Sequence, residues 1–86
     1  MLEIELSKHS QDMLLERNIP EAWMWRTIEN PDTKWYGDDD NMHYAKPIKE
    51  REGRVLHVVV NQNVNPSRVV TIFFDRRLRK NRRRIE

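Results

Sequence analysis

The chain opens on strict alternation, with apolar Leu2, Ile4 and Leu6 flanking acidic Glu3 and Glu5. A period of two predicts a half-buried strand. Ser7 can cap a following helix, and the apolar positions Met13 and Leu14 place that helix over residues 8 to about 17. Asn18-Ile19-Pro20 interrupts it. Proline is tolerated in a first helical turn, so Pro20 opens a second helix that contains Trp23, Met24 and Ile28. Asn30-Pro31 ends it, because the residue before proline avoids the α region.

The pattern then returns to strands. Residues 33–36 form a short aromatic strand, and Gly37-Asp38-Asp39-Asp40-Asn41 reads as its turn. Residues 41–48 are the return strand, with Pro47 marking an edge at its end. After a polar turn at 49–53, residues 54–61 and 68–75 carry the two strongest strand signals, Val55-Leu56-His57-Val58-Val59-Val60 and Val69-Val70-Thr71-Ile72-Phe73-Phe74. The order is β-α-α-β-β-β-β. It predicts an α+β domain with both helices on one face of an antiparallel sheet. Alternation assigns Leu56, Val58, Val60, Val70, Ile72 and Phe74 to the helix-packed face. Val55, His57, Val59, Val69, Thr71 and Phe73 fall on the open face.

Charge divides the chain unevenly. Residues 1–75 hold 9 Lys/Arg against 13 Asp/Glu, whereas residues 76–86 hold 7 Lys/Arg and one Glu. A folded domain over 1–77 with a flexible basic tail over 78–86 is therefore expected. Arginine forks match phosphate geometry, so Arg76, Arg77, Arg79, Lys80, Arg82, Arg83 and Arg84 are candidate nucleic-acid contacts. There is no cysteine, which removes disulfides and thiolate metal sites. Nothing resembles a signal peptide or a membrane span, so the expected location is the cytoplasm. With only Gly37 and Gly53, there is no phosphate loop and no nucleophile elbow, and no cofactor is expected.

His9, His43 and His57 lack ligand-like spacing, and the Asp38–Asp40 run reads as a turn, so no metal site is expected. His57 exchanges protons near neutral pH, and a lysine stabilises phosphorane charge. Together with the basic and phenolic groups of neighbouring strands, this makes His57, Lys46, Tyr44, Arg54 and Arg76 the candidate catalytic set for metal-free RNA cleavage. Of the two tryptophans spaced two apart, Trp25 is the one expected to be more exposed.

Ser7-Lys8-His9-Ser10, Glu16-Arg17-Asn18-Ile19, Asn30-Pro31-Asp32, Leu56-His57-Val58-Val59-Val60 and Val69-Val70-Thr71 follow one another along the chain. In that order they resemble a small prokaryotic family of unknown function. Its opening motif runs His-Ala-x-x-Arg-Met-x-x-Arg-x-Ile. His9 and Arg17 carry over, while Ser10, Met13 and Leu14 stand where that motif has Ala, Arg and Met. The family in turn resembles the BrnT/RelE-like toxins. That resemblance implies a RelE-like fold and an endoribonuclease acting on mRNA, with RNA or the ribosome and an antitoxin as partners. The alternative is a non-catalytic RNA-binding or protein-interaction module that uses the basic tail.

Overall fold

The computed structural model describes residues 3–78. Within them the order is β1 (Ile4–Glu5), α1 (Lys8–Glu16), α2 (Glu21–Glu29), β2 (Thr33–Tyr36), β3 (Met42–Ile48), a 3-10 turn (Lys49–Arg51), β4 (Arg54–Asn61) and β5 (Ser67–Phe74). Helix boundaries follow local chemistry. The Ser7 hydroxyl accepts from the Ser10 amide at the start of α1. At its end Asn18 takes a left-handed φ of 57°. There the Asn18 amide donates to Leu15 O and the Ile19 amide to Leu14 O. This is a Schellman closure, sealed by Ile19 and Leu14 meeting in the core. Pro20 is the N-cap of α2 rather than its first residue.

The strands form one sheet in the order β1-β5-β4-β3-β2. Four of them are antiparallel, as expected, but β1 runs parallel to β5, so the sheet is mixed. Two helices intervene between β1 and the remaining strands, and the chain returns to the far edge instead of folding back as a hairpin. Pro47 pairs with Val55 beyond the end of β2, where β3 has no neighbour on its other side. A missing N–H costs no ladder bond there.

On one face α2 lies over β3 and β4. Met24, Ile28, Tyr44, Ile48, Leu56, Val58, Val60 and Ile72 make the core, with Leu14 and Ile19 from the helical corner. The face assignment from alternation holds along β4 and at Ile72 and Phe74, and inverts at Val69 and Val70. A β-bulge causes the inversion: Val59 pairs with Thr71 and Val60 with Val69, which leaves Val70 as the extra residue. Val69 is buried in the core and Val70 is 41% exposed.

Helix α1 packs along β5. Strand β1 pairs only with Ser67 and Arg68. Past that point the buried Ser10 hydroxyl donates to Val69 O at 2.9 Å, and Arg17 Nη1 donates to Ile72 O at 2.8 Å. Side chains of α1 and of its C-cap Arg17 thus occupy carbonyls that an edge strand would otherwise present to another chain.

Candidate active site

The β3–β4 register sets His57 opposite Ala45 and Val59 opposite His43, so the two histidines are diagonal neighbours on the face away from α2. Trp35 of β2 pairs with His43, and Phe73 of β5 pairs with His57. An aromatic row therefore crosses four strands. The Trp35 and His43 rings stack at 5.0 Å and 20°, and the His43–His57 and His57–Phe73 centroids lie 5.0 and 4.9 Å apart.

Hydrogen bonds run through this row in series. His43 Nε2 lies 3.1 Å from Asp39 Oδ1, His43 Nδ1 lies 2.8 Å from His57 Nε2, and His57 Nδ1 lies 3.0 Å from Asp75 Oδ2. Arg77 closes the buried end by donating through Nε and Nη2 to the two Asp75 oxygens, each at 3.1 Å. His57 and Asp75 are buried, whereas the Asp39 carboxylate is exposed at the other end. The row thus connects a closed anchor to solvent.

Electrostatics constrain its proton content. The His43 ring N–H holds the Asp39 carboxyl down at about 2; desolvation opposes this and the Asn41 amides help it. Burial alone would raise Asp75, but hydrogen bonds from Arg77 and His57 overcome it and hold that carboxyl at about 2. Burial pushes the His57 imidazole below its ordinary range, against the raising effect of Asp75. Both carboxylates are thus charged at neutral pH and only accept. The bond to Asp75 needs a proton on His57 Nδ1, the bond to Asp39 needs one on His43 Nε2, and the bond between the rings needs a third. Three protons on two rings is one more than two neutral imidazoles carry. Burial disfavours that additional charge on His57.

Gly37 makes room for the solvent end. A Cβ on it would fall 2.6 Å from His43 Nε2 and 2.7 Å from Asp39 Oδ1. Any side chain there would push into the Asp39–His43 bond.

The candidate catalytic set derived from sequence is divided by the sheet. His57 faces the relay side. Tyr44 and Lys46 pair with Val58 and Leu56, and so face α2. Tyr44 is buried, its hydroxyl accepting from Gln62 Nε2 at 3.3 Å, and burial raises its phenol. Lys46 Nζ donates to Asn30 O at the end of α2. Arg54 sits over the Phe74 ring on that same side. Arg76 is exposed just past Asp75. His9 is exposed on α1, and Arg17 binds the edge of β5. Arg77 pairs with Asp75, while Arg79, Lys80, Arg82, Arg83 and Arg84 lie outside the described residues. Trp25 is half-buried, its indole N–H donating to Glu21. Asp39 joins the relay from within the predicted turn.

Asp39, His43, Asp75 and Trp35 were not legible as site residues. The available signal was parity: a hairpin centred near residue 51 brings His43 and His57 to one face. Among the described residues no helix is long and apolar enough to cross a membrane. Neither the curated proteins nor the solved structures contain a significant match. One family model matches residues 6–74, a span that includes Asp39, His43 and His57 and stops just short of Asp75. The chain therefore belongs to the family described as a domain of unknown function, DUF4258.

Proposed function

We propose that the protein is a metal-independent endoribonuclease whose proton-transfer groups are His43 and Asp39. The observation that carries this reading is the series Asp39–His43–His57–Asp75, anchored at its buried end and open at Asp39. RNA cleavage without a metal needs a base for the 2′-hydroxyl and an acid for the departing 5′-oxygen. The Asp39 carboxylate takes the 2′-hydroxyl proton as that oxygen forms its bond to phosphorus. His43 Nε2–H gives its proton to the 5′-oxygen as the P–O5′ bond breaks. The products are a 2′,3′-cyclic phosphate and a 5′-hydroxyl. The proton on Asp39 then returns to His43 along their direct hydrogen bond, and the pair is reset. His57, Asp75 and Arg77 orient the His43 ring, while Trp35 fixes its plane.

The order of two helices before an antiparallel run also accords with a RelE/BrnT-like toxin acting on mRNA in the cytoplasm, with an antitoxin as partner. The basic tail supplies attraction for RNA or the ribosome. Purified full-length protein, incubated with single-stranded RNA in the presence of a chelator, is expected to give cyclic-phosphate ends. His43→Gln should slow this by about 100-fold, the scale of a lost general acid. Intact RNA, or equal rates for the two proteins, would overturn the proposal.

A further inference from the structure

The face that carries α2 holds a second arrangement, which the relay does not use. Trp23 of α2, Arg51 of the 3-10 turn, Phe74 at the end of β5 and Arg54 at the start of β4 alternate as aromatic, guanidinium, aromatic, guanidinium. Arg51 Cζ is 5.2 Å from the Trp23 ring centroid and 5.4 Å from that of Phe74, and Arg54 Cζ is 5.0 Å from Phe74. Arg51 spends one N–H on Asn18 O at 2.7 Å, which ties the stack to the end of α1. The aromatic rings hold both guanidiniums in place and leave N–H groups free to donate.

Three of the other described arginines have carboxylate partners, Arg26 with Glu50, Arg68 with Glu5 and Arg77 with Asp75, while Arg17 donates to Ile72 O. Among the described residues, no carboxylate pairs with Arg51 or Arg54. Glu50, their neighbour in sequence, is held bidentately by Arg26. Two like charges are thus held against one ring, and an anion between or beside them would relieve their repulsion. Arg76 follows Phe74 by two residues, and the cation-rich segment of the sequence continues from there.

We infer that Arg51 and Arg54, presented by Phe74, form a docking point for the phosphodiester backbone of a single-stranded RNA. This inference rests on the RNA-directed reading above. The site grips phosphate and reads no base, so it contributes affinity and salt dependence rather than sequence choice.

The test uses the full chain and a labelled single-stranded RNA methylated at its 2′-oxygens, which can bind but cannot be cleaved. Fluorescence anisotropy is read over a salt series. Arg54→Gln is expected to bind about tenfold more weakly, with the slope of log K against log salt flatter by about 0.7, the value for one single-strand phosphate contact. Arg54→Lys, which keeps the charge and loses the planar fork, should fall between. Arg54 makes no backbone hydrogen bond through its side chain among the described residues, and an unchanged melting curve for Arg54→Gln verifies its fold; Arg54→Lys provides the comparison if it does not fold. Equal affinity and slope for wild type and Arg54→Gln would overturn the docking point. So would equal binding of a polyglutamate peptide, which would point to an acidic protein partner instead. Weakened binding by Arg54→Gln supports the site even where unmodified RNA stays intact, an outcome that removes only the catalytic reading. Cleavage together with unchanged binding removes only the docking point.

Discussion

The two faces of β4 are both buried, yet they are built differently. Toward α2 stand Leu56, Val58 and Val60, which close a core of aliphatic contacts. Away from α2 stand Val55, His57 and Val59, and here the buried position between two valines is polar. A buried imidazole is tolerated only with its hydrogen bonds made. His57 meets that condition on both nitrogens, through Asp75 and His43. One face therefore stores stability, and the other uses hydrogen bonds to keep Asp39, His43, His57 and Asp75 in a fixed geometry. The aliphatic face can relax around a lost methyl group. In the row of Asp39, His43, His57 and Asp75 each ring nitrogen has one partner, so removing one residue leaves another without its hydrogen bond.

This contrast can be broken in graded steps. Leu56→Ala, on the aliphatic face, should cost about 3 kcal/mol by cavity formation and leave the ring protonation pattern unchanged in whatever fraction stays folded; urea unfolding measures the first and ring 15N spectra the second. Asp75→Asn should cost about 2 kcal/mol, because the carboxyl is held well below its unfolded value. The sign follows from that depression. Asp75 stabilises the fold above its ordinary value of 3.8, and the contribution is lost as pH falls toward about 2. Melting curves of Asp75→Asn should therefore be flatter than wild type across that window. His57 acts at higher pH in the same direction. Its folded value lies below the ordinary 6.5, so the unfolded chain takes up the proton first and stability declines as pH drops below that point.

Gly37→Ala tests the solvent end, and should cost about 1 kcal/mol through displacement of a crowded neighbour. It should also shift the ring 15N resonances of His43, since its contact with Asp39 is pushed apart. A His43 ring spectrum identical to that of the wild type would refute the role given to this glycine. Leu15→Ser should change stability by less than about 0.5 kcal/mol, as expected of a surface position. Leu15 is 79% exposed and belongs to neither face.

Much of the frame was legible from period and punctuation. Strands β2 and β4 have the predicted limits, α1 is closed at Asn18 as its Asn-Ile-Pro run implied, and Asn30-Pro31 ends α2. These features depend on neighbours a few residues away, which a linear reading contains. The bulge at Val70 was not legible, because alternation continues smoothly through Val69-Val70-Thr71 and only the pairing with β4 exposes the extra residue. Nor was the parallel placement of β1, which depends on where α1 and α2 deliver the chain. His57 was recognised as a candidate, but its companions were sought among Tyr44 and Lys46, whose parity sends them to the other face.

The sequence by itself determined the α+β class, the strand and helix content, the helix ends and the concentration of cations after residue 75, since each is set by local propensity or by composition. Tertiary structure alone decided which charged and aromatic groups meet. Asp39, His43, His57 and Asp75 come from a turn, two strands and a strand end, and the stack of Trp23, Arg51, Phe74 and Arg54 joins a helix, a turn and two strands. Such meetings depend on register and on the bulge. A shift of one residue in the pairing of β3 with β4 would carry His43 to the other side of the sheet and dismantle the relay while every local propensity stayed the same.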